Sequence, residues 1–148
     1  MSPYTYEYPR PSVTVDIVVF HPRLDGLYVL LIQRQREPFE GCWALPGGFV
    51  EMDETLDTTA HRELLEETGL SVDKLIQLGT YGDPGRDPRG RVISVAYLSI
   101  LQDKVDPQVK GADDASQAAW FPVNKLPLLA FDHHQILQDS LQRLPPGE

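Results

Sequence analysis

Cysteine is nearly absent: Cys42 stands alone in 148 residues. No internal disulfide can form, and so sparse a use of thiols fits a cytoplasmic protein. Cys42 adjoins the bulky Trp43 and has no base beside it, which reads as an inert small side chain. Long apolar runs are also missing. No window approaches the ~18 consecutive apolar residues of a membrane helix, so no membrane partner is expected. The N-terminal MSPYTYEYPRP has neither the basic start nor the apolar stretch of a secretory signal. Positive charge is scarce, with 13 Lys and Arg against 22 Asp and Glu and a net charge of −9. Non-specific nucleic-acid binding depends on clustered Lys and Arg, so no nucleic-acid partner is expected either. An acidic chain can still take an anionic substrate where metal ions and a few arginines gather at its site. Repeats and low-complexity tracts are lacking.

What is present fits one compact domain over residues 1–148, in which 1–11, with Pro3, Pro9 and Pro11, form an extended arm. Ser12 to Phe20 is rich in β-branched residues and predicts a buried strand. After a turn at His21–Gly26, Leu27 to Arg34 predicts its partner. Trp43–Leu45 leads into Pro46-Gly47-Gly48, read as a tight turn, and Phe49–Glu51 as a short extended piece. A helix is predicted from Asp53 or Thr55 to Thr68, stopped by Gly69. Leu75–Tyr81, Arg91–Leu101 and Ala118–Val123 read as strands. Asp132 to Arg143 reads as an amphipathic helix. Gly82–Gly90 and Asp103–Ala115 read as polar loops. The mixture predicts an α/β fold with a mixed sheet and helices packed against it.

The segment Gly48–Leu70 carries the chemistry. With Glu63 set at 0° on a helical wheel, Glu67 falls near ~40° and Glu66 near ~300°. Leu56, Ala60 and Leu64 fall at roughly 20°, 60° and 100°, so Glu67 lies within the apolar stripe. Three like charges on one arc repel each other, the more so when half-buried. Arg62, near ~260°, cannot serve all three. A hard divalent cation, Mg²⁺ or Mn²⁺, bound through carboxylate oxygens offsets the repulsion. The same acids would also suit a plain charged surface helix, since Glu is a good helix former. Gly47-Gly48 allows close approach of the backbone to a ligand, or simply makes a turn.

These residues also carry a family resemblance. Gly48, Glu54, Arg62-Glu63-Leu64, Glu66-Glu67 and Gly69-Leu70 fill every fixed position of the 23-residue Nudix box, and Trp43–Glu51 resembles the run that precedes and enters it. The resemblance implies an α/β/α sandwich with a mixed β-sheet, in which the box forms a loop–helix–loop. It implies that Glu66 and Glu67 are central metal ligands. Glu63 becomes a further ligand or the group that orients the attacking water. Gly47 becomes a carbonyl ligand, and Glu54 with Arg62 braces the box. The segments Gly82–Tyr97 and Ala130–Leu137 are similar to those of prokaryotic ADP-ribose pyrophosphatases, and to the Nudix domain of ADP-ribose-sensing transcription regulators. That similarity implies a small-molecule nucleotide substrate, most simply ADP-ribose split into AMP and ribose 5-phosphate. Another nucleoside diphosphate compound, a nucleoside triphosphate, or a non-catalytic sensing role are the alternatives. A homodimer is also implied.

Four arginines are candidates for holding phosphate or ribose: Arg34, Arg86, Arg89 and Arg91, since guanidinium matches phosphate oxygens bidentately. Arg86 pairing with Asp83 or Asp87 is the structural alternative. Many relatives use a loop Glu as general base; this chain offers Asp113 and Asp114 there, with Glu63 as the fallback. Trp43 or Phe39 could stack on adenine, although core packing is commoner for aromatics. His133 and His134 read as capping or surface groups.

Overall fold

The computed structural model describes residues 3–102, 108–109 and 115–144. Its centre is β1 (Ser12–Arg23), which forms a hairpin with β2 (Gly26–Arg34) around a turn at Leu24 and Asp25. The β-branched run therefore continues as strand through His21–Arg23, beyond the expected end at Phe20. β3 (Trp43–Ala44) and β4 (Gly47–Phe49) are short; α1 spans Leu56–Thr68, β5 Ile76–Tyr81, β6 Val92–Ile100, β7 Ala115–Pro122 and α2 His133–Leu141. β7 starts at Ala115, not Ala118. The seven-stranded sheet runs β3-β2-β1-β6-β5, with β4 added to β1 and β7 to β2. β1 and β6 are parallel, from Ser12 opposite Val92 to Phe20 opposite Ile100, and the other pairs of strands are antiparallel. The sheet is therefore mixed.

Alternation along β1 explains the layers, because successive side chains in a strand point to opposite faces. Val15, Ile17 and Val19 join Ala60 and Leu64 of α1 in one buried cluster. Val18 and Phe20 join Ile136 and Leu137 of α2 in another. Each helix thus covers one face, giving the α/β/α sandwich. Among the described residues no helix is long and apolar enough to cross a membrane.

Pro46-Gly47-Gly48 is not a tight turn. Gly47 and Gly48 are paired antiparallel with Asp16 and Val15, and neither has a positive φ. Their need for glycine is steric. A Cβ on Gly47 would stand 2.1 Å from Val15 O, and one on Gly48 would stand 2.5 Å from Glu63 Cδ. β4 is a ribbon pressed between the central strand and the acidic helix.

Candidate active site

Local sequence fixes α1 at both ends. Thr55 Oγ1 accepts the Thr58 N–H at 3.1 Å, satisfying one of the donors that a helix start leaves unpaired. At the other end Gly69 takes φ 77° and its N–H donates to Leu65 O, a left-handed cap that favours glycine. Ala60 and Leu64 are buried against the sheet, and this rotation sets the acids. Glu67 is half-buried and its Oε1 accepts the Gly47 N–H at 2.7 Å. Glu63 is half-buried against Gly48. Glu66 is exposed.

The charges are met by more than the wheel suggested. Arg62 donates through Nε and Nη2 to both oxygens of Glu54, at 2.6 and 3.0 Å. Its Nη1 reaches Glu63 at 2.7 Å and Glu66 at 3.1 Å. The long side chain therefore serves two of the three acids, while Glu67 takes the Gly47 amide. Burial pushes the Glu63 carboxyl above its usual value; hydrogen bonding and charge from Arg62 oppose this, and the charges of Glu66 and Glu54 add to it.

Hydrogen bonds from Arg62, then Thr59, hold the Glu54 carboxyl down to about 2, against an ordinary 4.5. The folded value lies below the unfolded one. The ionised brace therefore stabilises the fold above about pH 4.5, and that contribution is lost as pH falls toward 2. Glu54→Gln is expected to melt with a flatter acid limb than the wild type across that window. Equal slopes in thermal melts would show that the brace does not hold the fold.

Glu63, Glu67, Gly47 and Gly48 form one wall of a cavity of about 500 Å³, within the range of small-molecule sites. Arg34, Arg36 and Arg89 line it as well. Arg34 donates through Nε to Pro38 O at 2.8 Å and lies 4.9 Å from the Phe131 ring centre. Arg89 is held by Asp87 through Nε and Nη2, at 3.0 and 2.7 Å, and sits between the rings of Phe49 and Phe131. Arg86 lines the cavity too, but its partner is neither Asp83 nor Asp87. Its side chain is 5% exposed and binds Asp132 bidentately, at 2.8 and 2.6 Å. Arg91 is not among the lining residues; its Nη1 donates to Gly82 O and closes the base of the 82–91 loop. Asp113 and Asp114 lie outside the described residues. Trp43 packs edge-on against Phe121, with ring centres 4.7 Å apart. Phe39 packs the same way against Phe131, at 4.8 Å.

Sequence reasoning missed the floor of the cavity. His133 is buried, not a surface or capping group. Its Nδ1 accepts the Leu45 N–H at 3.0 Å and its Nε2 lies 3.3 Å from Asp16 Oδ1. Ser94 Oγ donates to Asp16 Oδ2. Burial alone would raise the Asp16 carboxyl, but His133, Ser94 and Arg86 together hold it below its usual value. The signal was one acid inside the apolar run SVTVDIVVF.

The donors suit a hard divalent cation. Glu63 and Glu67 offer carboxylate oxygens from the helix side of the glycine ribbon, beside Gly48 and Gly47 respectively. In an extended strand the N–H and C=O of one residue share an edge, so the Gly47 carbonyl faces the same side as the amide that meets Glu67. All of these are oxygen donors, the kind that Mg²⁺ and Mn²⁺ prefer. Among the described residues no three acids, histidines or cysteines already converge as a cage; Arg62 engages Glu63 and Glu66.

Comparison with known proteins agrees with this frame. The family model described as NUDIX domain matches residues 10–144. A protein of Methanocaldococcus jannaschii called ADP-ribose pyrophosphatase is 44% identical over 91% of this chain and 76% of its own length. The ADPR responsive transcriptional repressor NtrR of Acinetobacter baylyi is 40% identical over 93% of this chain, which spans only 56% of the repressor. The NUDIX domain of Shewanella oneidensis NrtR, solved as a cocrystal with ADP ribose, superposes with a TM-score of 0.85 at 34% identity, over 93% of this chain and 91% of that one. The match over nearly the whole chain, in sequence and in three dimensions, makes this protein a member of the Nudix family.

Proposed function

We propose that this chain hydrolyses the diphosphate bridge of ADP-ribose, giving AMP and ribose 5-phosphate, with Mg²⁺ or Mn²⁺ held by Glu63, Glu66, Glu67 and the Gly47 carbonyl. The observation that carries the reading is the wall where Glu63 and Glu67 flank Gly47-Gly48, inside a cavity that also bears Arg34 and Arg89. When bound, the cation neutralises diphosphate charge and makes a metal-bound water more acidic. Arg34 and Arg89 orient phosphate oxygens with the guanidinium N–H groups not given to Pro38 O and Asp87. The water oxygen bonds to one phosphorus, the bridging P–O bond breaks, and the bridging oxygen leaves with the other phosphate. Glu63 takes the proton of the water. Burial raises its affinity for a proton, which strengthens it as a base while it starts ionised. Asp113 and Asp114 are the competing bases, and Asn substitutions there compared with Glu63→Gln decide between them.

The test is a substrate panel in Mg²⁺ or Mn²⁺ with products identified. ADP-ribose is expected to give AMP and ribose 5-phosphate faster than nucleoside triphosphates or other nucleoside diphosphate sugars are cleaved. Preference for a triphosphate with pyrophosphate release would remove ADP-ribose as the substrate. A second reading rests on the 40% identity to the repressor: an ADP-ribose-sensing module. Tight binding of ADP-ribose without turnover in either metal would select it. In either reading we propose a cytoplasmic homodimer, which light scattering and cell fractionation test.

A further inference from the structure

Asp16 is an expensive residue to leave in a core strand unless something uses it. It is 7% exposed, yet it lines the cavity. Charge balance for Arg86 does not explain it. Asp132 already occupies Nε and Nη2 of Arg86, and Asp16 stands 3.9 Å away, beyond hydrogen-bond range. Satisfying His133 does not explain it either. The ring needs one acceptor for Nε2–H, since Nδ1 already accepts from Leu45; a neutral amide oxygen would serve. An ionised carboxylate offers about four acceptor positions. Ser94 and His133 fill two.

Among the described residues no other side chain or amide donates to it, and the residue opposite leaves room beside it. Gly47 pairs with Asp16 across the two strands. A Cβ at position 47 would come within 2.7 Å of Asp16 Oδ1, so any other residue there would crowd the carboxylate. Thr14, two residues back and on the same face of the strand, lines the same cavity. The floor is therefore an anchored acceptor with no hydrogen to donate. It repels a phosphate, and it suits hydroxyl groups that can donate. A carboxylate accepting from a ribose hydroxyl is a recurrent way for proteins to recognise that sugar.

We propose that Asp16 is a substrate-binding residue that reads the 2-hydroxyl of one ribose of the nucleotide, with His133 and Ser94 as the positioning residues that aim it. This rests on the hydrolase reading above and adds a determinant outside the acidic helix. The substrate carries two riboses, so the test uses the two products as paired inhibitors of ADP-ribose hydrolysis: AMP against 2′-deoxy-AMP, and ribose 5-phosphate against 2-deoxyribose 5-phosphate. The wild type should prefer the hydroxylated member of one pair by about ten- to hundredfold, the worth of a hydrogen bond to a charged group. The pair that shows the preference names the ribose. Asp16→Asn, nearly the same in shape, should erase that preference and raise KM more than it lowers kcat. A thermal melt checks that the variant folds; if it does not, Ser94→Ala, which removes one of the contacts that aim Asp16, should weaken the same preference. No preference in either pair, or a preference that persists in Asp16→Asn, overturns the inference and leaves the hydrolase reading standing. No hydrolysis of ADP-ribose by the wild type would sink both.

Discussion

Glu67→Gln is expected to lower kcat for ADP-ribose by about a thousandfold or more, ~4 kcal/mol of transition-state stabilisation. The reason is local. Gln keeps an oxygen that can accept the Gly47 N–H, which Glu67 holds at 2.7 Å, so the ribbon should stay in place. What is lost is the negative charge offered to a divalent cation. A thermal melt close to that of the wild type, together with collapsed turnover in saturating Mg²⁺ or Mn²⁺, is the predicted pattern. A chelator should abolish wild-type activity and leave little residual difference between the two proteins. Equal turnover of the two proteins in metal would sink the assignment of the site to this helix.

The second large effect is on the fold. Arg86→Ala should destabilise the protein by about 3 kcal/mol, at the low end for breaking a buried ion pair. The low end is chosen because Asp132 is 27% exposed while Arg86 is 5% exposed. Without the guanidinium, Asp132 loses its bidentate partner and Asp16 loses the nearest fixed cation. For a chain of this size the melting point should fall by roughly 10 °C. Removing Asp132 as well should cost less than the sum of the two single changes, because the pair acts together. A fall of only a degree or two in Arg86→Ala would mean that the fork is dispensable and that Arg86 is available to bind phosphate.

The contrast between these residues shows what could be read in advance. The strands announced themselves through β-branched runs, and α1 through Thr55 and Gly69, because those signals act over a few residues. Glu63 and Glu67 were legible for the same reason, as both sit on one turn of one helix. The partner of Arg86 was not. Asp83 and Asp87 are close in sequence, but the 82–91 loop folds over the start of α2 and meets Asp132, 46 positions away. The contact between Asp16 and Ser94 spans 78 positions and exists because β1 and β6 run parallel. His133 looked like a helix-start residue and is one, but α2 packs that first turn beneath Leu45. Of the two uses expected of the glycine pair, the tight turn is absent because its backbone is ordinary, and the close approach rests on its lack of a side chain.

The pairing of β4 with β1 has a mechanical consequence. The ribbon that supports Glu63 and Glu67 is stitched to the strand at the heart of the molecule, with Ile17 N bonded to Pro46 O and Val50 N to Val13 O. The edge proposed to face the metal therefore cannot loosen independently of the core. Gln35, Arg36 and Glu37, exposed beyond the end of β2, line the same cavity outside that frame. Substitutions there can retune what the cavity accepts without disturbing the ribbon.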